Sequence, residues 1–255
     1  MRAVLSGRYF PMAVIPIPKA FRSMTAPAHS SEHDLLADAE RRLTRVPLER
    51  RGVVAAGRTW QVDAVADQDA LLAASDHFEA FPYGLLLWDA AVVLADVLAD
   101  LGPLTGKRVL ELGAGVGFAG LAAAHLGADV LQTDHAAEAL VLCARNARLN
   151  GIPVPRQTLA DWADWQPPHR FDLVIGSDVL YDGSAHRAIA RLLEESVADG
   201  GFALLTAPKR TATPFFIRDM QADGWRITTE VRSVPALQPS RPDEVVSVSV
   251  LRVAR

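Results

Sequence analysis

Two hydrophobic periodicities divide this chain. Ahead of Phe81 the apolar positions follow mixed spacings. Ser31, Glu32 and Asp34 precede Leu35, Leu36, Ala39 and Leu43, which predicts a capped amphipathic helix ending near Arg45. Residues 53–65 predict two short strands, with Thr59, Gln61 and Asp63 alternating against Trp60, Val62 and Ala64 and a turn at Gly57-Arg58. A short helix is expected over 67–75. The segment Phe81-Pro82-Tyr83-Gly84 interrupts the pattern, and 85–101 resumes as a long apolar helix.

Beyond that helix, strand and helix patterns alternate. Strands are expected at 108–112, 129–133, 156–159, 172–176, 202–207, 225–231 and 245–253, and helices at 118–126, 136–150, 184–197 and 214–222. Such alternation predicts parallel strands joined by crossover helices. The last two strands are separated by 233–242, which carries Pro235, Pro239 and Pro242 and no helical pattern. That connection suits an antiparallel pair, because a parallel crossover usually needs a helix. The expected fold is α/β: a doubly wound, seven-stranded, mostly parallel sheet with an antiparallel last strand, carrying an N-terminal helix and β-hairpin. The expected division is a disordered lead over 1–30, an extension over 31–80 packing on the core, and the principal domain over 81–255.

Composition narrows the class of partner. At 255 residues the chain can bury a core as one domain. Hydrophobic residues make up 50% and mean hydropathy is +0.13, so the chain is globular. A net charge of −4 and pI ≈ 6.0 give no electrostatic footing for nucleic acid. The lone Cys143 excludes an internal disulfide or a thiolate cluster for zinc, and it reads as core. A reducing, cytoplasmic setting is the default. The apolar run over 9–17 is broken by Pro11 and Pro16 and falls short of the ~20 residues a membrane span needs. Neither a membrane partner nor export is expected.

Candidate chemistry gathers in the alternating part. Val109-Leu110-Glu111-Leu112-Gly113-Ala114-Gly115-Val116-Gly117-Phe118 reads as a buried strand running into a glycine-rich turn that opens a helix. Glycines there let backbone approach a bound cofactor closely. Gly115, Gly117 and Gly120 also satisfy G-x-G-x-x-G, which fits a dinucleotide site as well. Glu111, ahead of the first glycine, repels a pyrophosphate but suits the cationic amino group of S-adenosylmethionine (SAM). Asp134 ends the next strand about 20 positions after Gly113, the offset at which a carboxylate meets a ribose diol. It also suits the N-cap of the following helix. Trp162, just past the third strand, borders the ligand crevice, where an indole packs on a purine, while Trp165 reads as structural. Ser177-Asp178-Val179-Leu180-Tyr181 follows the fourth strand. Asp178 can accept hydrogen bonds from an amine nucleophile, and Tyr181 can line the same pocket and contribute cation–π contact. N-methyltransferases of planar amide or base nitrogens tend to carry two prolines between such a pair. Here Val179 and Leu180 stand there, against that target class. The seven histidines are scattered along the chain, and no metal is expected.

A family becomes recognisable across Trp88 to Tyr181. Trp88-Asp89-Ala90-Ala91-Val92-Val93-Leu94, Leu110-Glu111-Leu112-Gly113-Ala114-Gly115, Thr133-Asp134, Asp161-Trp162 and Ile175-Gly176-Ser177-Asp178-Val179-Leu180-Tyr181 together resemble the seven-β-strand protein-lysine methyltransferases. These are cytosolic enzymes that modify chaperones, elongation factors and similar non-histone proteins. The resemblance implies a Rossmann-like SAM methyltransferase fold, with SAM contacts at Trp88, Gly113, Ala114, Gly115, Asp134, Trp162 and Ser177. It implies that Asp178 and Tyr181 face the substrate as catalytic residues. Ser177 stands where relatives often have alanine, a change that a backbone contact survives. Residues before Phe81 match only loosely, so the identity of the target does not transfer.

The expected activity is therefore SAM-dependent N-methyl transfer to a lysine side chain of a cytosolic protein, by a monomer acting without nucleic acid, membrane or metal. The nearest alternative is a small-molecule N-methyltransferase acting on nicotinamide-like amines. A nicotinamide-dinucleotide oxidoreductase is opposed by Glu111 and the reversed last strand. A non-catalytic SAM-binding module is opposed by Asp178 and Tyr181.

Overall fold

The computed structural model describes residues 32–74, 78, 82–239 and 241–255. The lead expected over 1–30, the Ser31 cap, Ser75 and Phe81 lie outside them. The described chain opens with α1 (Glu32–Leu43), a hairpin of β1 (Leu48–Ala55) and β2 (Arg58–Val65), and a short α2 (Gln68–Ala74). A turn of 3-10 helix at Tyr83–Leu85 leads to α3 (Asp89–Asp100). Then come β3 (Arg108–Leu112), α4 (Phe118–His125), β4 (Asp129–Asp134), α5 (Ala137–Leu149), β5 (Arg156–Leu159) and β6 (Phe171–Ser177). The chain closes with α6 (His186–Ser196), β7 (Val197–Pro208), α7 (Thr213–Ala222), β8 (Arg226–Pro235) and β9 (Val245–Ala254).

The large sheet runs β5-β4-β3-β6-β7-β9-β8. Neighbours from β5 through β7 pair in parallel, whereas β9 slots between β7 and β8 and is antiparallel to both. This is the doubly wound sheet with a reversed last strand that the sequence predicts. Central strands are apolar on both faces because helices cover both. Leu110 and Leu112 face α6 and α7 through Ile189, Leu192, Phe216 and Met220. Val109, Leu173 and Ile175 face α3 and α4 through Val93, Leu94, Leu98 and Ala119. The strand order reverses between β3 and β6, and carboxyl ends at such a switch point form the ligand crevice of this architecture. No helix among the described residues is long and apolar enough to cross a membrane.

The hairpin is fastened to this core in two ways. Trp60 is fully buried, its Nε1 donates to Ala55 O at 2.9 Å, and its ring meets Phe118 edge-on with centroids 5.7 Å apart. The outer edge of β2, left free by β1, is closed by two asparagines one turn apart on α5. Asn146 Oδ1 accepts from Asp63 N at 2.8 Å while its Nδ2 donates to Asp63 O at 3.1 Å. Asn150 repeats the arrangement on Gln61, at 2.9 and 2.7 Å. Each amide stands in for a backbone peptide, so the helix acts as a third strand.

Several boundaries differ from the sequence reading, β7 starting at Val197 and β8 reaching Pro235 among them, and three have a local reason. The hairpin turn falls at Ala56-Gly57, both at positive φ (49° and 71°), rather than at Gly57-Arg58. Asp96 Oδ1 accepts from Ala56 N at 2.7 Å and so holds a residue that rarely adopts this backbone. Strand β1 begins at Leu48, hidden in the sequence behind Glu49, Arg50 and Arg51, which alternate on an exposed surface. The helix expected over 85–101 begins only at Asp89, because Trp88 is extended (φ −97°, ψ 145°), Leu85 ends the 3-10 turn, and Leu86 and Leu87 bury themselves in an irregular segment.

Asn146→Ala leaves three backbone partners unpaired in a site only 1% exposed. It is expected to lower stability by about 2–3 kcal/mol, and Asn150→Ala by less, because its site is wetter. Urea unfolding checks this: the midpoint falls at unchanged slope, in that order.

Candidate active site

Backbone geometry at the end of β3 builds the crevice. Gly113 and Gly115 adopt φ of 64° and 56°, a region closed to most side chains. A Cβ on Gly113 would lie 3.1 Å from Val179 Cγ1 and 3.2 Å from the Trp162 ring. The turn, the Trp162 loop and the segment after β6 therefore converge on one point, as the sequence expects. Gly84 approaches from a fourth direction: a Cβ on Gly115 would lie 3.1 Å from Gly84 O. Trp88 Nε1 donates to Tyr83 O at 3.1 Å, tying the start of α3 to this segment.

Two carboxylates hold the turn. Asp134, at the end of β4 and 4% exposed, accepts from Gly115 N through Oδ2 and from Ala136 N through Oδ1, each at 2.9 Å. It thus braces both the glycine turn and the approach to α5, but it is not the N-cap of that helix, a place Ala136 takes. Ala114 N donates to Thr133 O at 2.9 Å, fixing the turn to the end of β4. His135 is 63% exposed beside Asp134, a solvated position.

Glu111, expected beside the ligand's amino group, is engaged within the fold. Strand alternation turns it to the face of Val109. Its oxygens accept from Gly120 N and Gln132 Nε2, both at 2.8 Å, and it is 2% exposed. Gly120 is obligatory here, since a Cβ would fall 2.1 Å from Glu111 Oε2. Burial, helped by the neighbouring charge of Asp134 and opposed by the two hydrogen bonds, pushes the Glu111 carboxyl up to about 7. Cys143 lies buried under the same turn, its Sγ donating to Gly115 O at 3.1 Å, the core position expected of it.

At the other end of the crevice, Ser177 closes β6 in register with Thr206. Asp178 follows in a left-handed conformation (φ 53°), donating its N–H to Thr206 O. It is 7% exposed, and burial raises its carboxyl pKa against the opposing pull of Arg210. Tyr181 is 39% exposed; its ring lies 5.9 Å from that of Tyr83. Burial foremost, then the negative charges of Asp182 and Asp134, pushes its hydroxyl up to about 12. Both tyrosines remain neutral donors in the physiological range.

Sequence reasoning missed four contributors. Arg210 grips Asp178, and Tyr83 and Gly84 wall the crevice. Arg191 on α6 donates to Trp162 O at 2.7 Å and Trp165 O at 3.1 Å, clamping the tryptophan loop. Arg210 follows β7 closely, and loops past the carboxyl ends of strands border the crevice in this architecture, the one signal that could have flagged it.

The residues fit an adenosyl ligand. Trp162 Nε1 is buried without a hydrogen-bond partner, its ring so close to the turn that a Cβ on Gly113 would lie 3.2 Å from it. Asp134 uses one lone pair on each oxygen and retains others for hydroxyl donors. Among the described residues, no group of three His, Cys, Asp or Glu side chains could hold a metal ion.

Comparison with known proteins agrees with this geometry. A family model described as lysine methyltransferase matches residues 66–222. A protein N-lysine methyltransferase, METTL21A of Danio rerio, is 32% identical over 189 residues, covering 71% of this chain and 82% of the relative. A histone-arginine methyltransferase, METTL23 of Xenopus laevis, is 39% identical over 110 residues, covering 39% and 46%. A protein-lysine N-methyltransferase, EFM3 of Chaetomium thermophilum, is 30% identical over 172 residues, covering 60% and 51%. A candidate RNA methyltransferase from Pyrococcus horikoshii superposes with a TM-score of 0.53 at 22% identity, over 68% of this chain and 86% of that one. At that identity the likeness concerns the fold.

Glu111 provides a test of the turn. Its folded-state pKa lies above its unfolded one, so its contribution favours folding at low pH and is lost as pH rises through about 7. Relative to Glu111→Gln, the wild type is expected to lose about 3 kcal/mol of stability between acid and mildly alkaline pH. Urea unfolding of both proteins across that range reads the difference. A constant difference would refute the buried, ionising carboxyl.

Proposed function

This chain belongs to the lysine methyltransferase family, and from that premise we propose that it transfers a methyl group from SAM to a lysine side chain of a protein. The observation that carries the reading is the convergence of Asp134, Trp162 and the open glycine turn at one end of the crevice, with Asp178 and Tyr181 at the other. In this reading Asp134 accepts from the ribose hydroxyls, the Trp162 indole packs on the purine, and Gly113, Ala114 and Gly115 admit the cofactor to the backbone. Trp88 and Ser177 flank it. Glu111 supports the turn from beneath instead of touching the ligand. SAM supplies a methyl group already activated on a sulfonium.

The protein's task is to deliver a neutral nitrogen in line. A free lysine has a pKa of about 10.4 and arrives protonated. A lysine side chain that loses water on entering between Tyr83 and Tyr181 is disfavoured as the ammonium, so the proton leaves to water. The amine lone pair then forms the new N–C bond as the C–S bond breaks, its electrons remaining on sulfur and the positive charge passing to nitrogen. Asp178 and the Tyr181 hydroxyl orient the amine, which is worth more here than base strength.

The same reading assigns the transfer chemistry to 81–255 with 31–80 as a packed extension, and has the enzyme act in the cytoplasm as a monomer on a protein rather than on nucleic acid. Arginine is the second acceptor to weigh, since one matched relative is a histone-arginine methyltransferase.

Incubation with methyl-labelled SAM and a cell lysate tests the proposal: label in discrete protein bands as methyl-lysine supports it, and label only in small solutes refutes it. Asp134→Ala is expected to weaken adenosylhomocysteine binding about a hundredfold by calorimetry, through two lost charge-assisted hydrogen bonds. Asp178→Asn should instead slow transfer about a hundredfold while leaving that binding within about threefold. Equal losses of both would remove Asp178 from the reacting end.

A further inference from the structure

The carboxylate at the acceptor end is already taken. Arg210, from the loop between β7 and α7, closes on Asp178 with both arms: Nε donates to Oδ1 at 3.1 Å and Nη2 donates to Oδ2. Side-chain exposure is 15% for the guanidinium and 6% for the carboxylate, so little water screens the pair. Forked guanidinium–carboxylate geometry of this kind is strong and directional, and the guanidinium does not give up its proton.

The surroundings make that pairing consequential. Asp89 at the start of α3 adds negative charge near Asp178, and its own Oδ1 accepts from Leu237 N at 2.8 Å. Glu244 acts on Asp89 in turn. Tyr83 and Tyr181 face the pair as neutral phenols, with Asp182 and Asp134 bearing on Tyr181. Arg210 is the cation set directly against Asp178 in this otherwise acidic neighbourhood.

We propose that Arg210 determines which acceptor the crevice takes: by occupying Asp178 it cancels the charge at the acceptor end, so that the site receives a lysine nitrogen as a neutral amine and turns away a second guanidinium. The inference rests on the lysine-transfer reading above. A carboxylate left unpaired there would hold the substrate as an ammonium and raise its pKa, locking away the lone pair that must attack. With the fork in place, desolvation prevails and the amine loses its proton more easily. A substrate arginine needs the same two carboxylate edges that Arg210 already fills. A neutral amine needs only one of the remaining lone pairs.

Wild type, Arg210→Gln and Arg210→Lys are compared for initial rates of methyl transfer from labelled SAM to lysate proteins across neutral to alkaline pH. Labelled protein is hydrolysed to separate methyl-lysine from methylarginine, and adenosylhomocysteine binding is measured by calorimetry. In wild type the label is expected in methyl-lysine. In Arg210→Gln the rising limb of the pH profile should move up by about one unit, a tenfold loss at neutral pH that alkaline pH restores. Arg210→Lys keeps the charge and should keep the midpoint. All three should bind adenosylhomocysteine alike. Equal loss at every pH in the Gln variant, loss of its adenosylhomocysteine binding, or a Lys variant displaced as far as the Gln variant would overturn the proposal by reducing Arg210 to packing. Methylarginine from wild type, or no protein label from a wild type that binds adenosylhomocysteine, would instead overturn the lysine reading itself, so the two failures are told apart.

Discussion

One short stretch of backbone, from Gly113 into the first turn of α4 at Gly120, is held between two carboxylates, and the crevice depends on that grip. Asp134 accepts from Gly115 N on the crevice side, and Glu111 accepts from Gly120 N beneath. Backbone without side chains is entropically costly to order, so the turn needs such external partners to keep its positive-φ geometry. The two carboxylates also repel each other, which adds to the upward push on the Glu111 carboxyl. Asp134 is therefore set over a second acid that burial drives toward neutrality. In the proposed reading that division leaves the upper carboxylate to the ligand while the lower one serves as a hydrogen-bond acceptor.

The reacting end follows a different economy of charge. Asp178 is strained into a left-handed conformation, buried, and matched by a guanidinium. A buried ion pair contributes little to stability compared with well-packed apolar groups, so stability is a poor reason for this one to exist. Its worth lies in placement: the fork fixes the direction of the carboxylate and sets one cation against the acidic groups around it. Methyl transfer to nitrogen requires an uncharged nucleophile next to a cationic donor. A neutral, poorly hydrated pocket disfavours two positive charges side by side and favours the amine.

The sheet was legible because its strands are buried on both faces. Short, mostly apolar segments at 108–112 and 172–176, separated by helical spacings, leave few other folds, and the proline-bearing stretch 233–242 points to the reversed strand. Where polar residues alternate on an exposed ribbon, as in Glu49, Arg50 and Arg51, periodicity hides the strand. Apolar residues mislead in the opposite way at Leu85, Leu86 and Leu87, which are core without being α-helix. The site divides along similar lines. Motif residues next to strand ends, Asp134 and Trp162, lie where the spacing put them. The facing of Glu111 is legible in its alternation with Leu110 and Leu112. Tyr83 comes from a segment without periodicity, and Arg210 is marked only by its place just past β7, so three-dimensional placement is what joins them to Tyr181 and Asp178.

The hairpin is tied to the chemistry by one side chain. Asn146 Nδ2 donates to Asp63 O in β2 and to Val116 O within the glycine turn, at 3.1 and 2.9 Å. Its Oδ1 meanwhile accepts from Asp63 N, so a single buried amide satisfies the edge of the hairpin and the backbone of the turn together. Neither partner can be released without leaving a buried polar group unpaired, which costs about 1–3 kcal/mol. Val116 lies between Gly115, braced by Asp134, and Gly117, so any shift of β2 is felt where the crevice is built. A segment that matches the family only loosely in sequence is thus mechanically part of the turn. Its outer face, by contrast, carries exposed residues such as Glu49 and Arg50 that take no part in this grip.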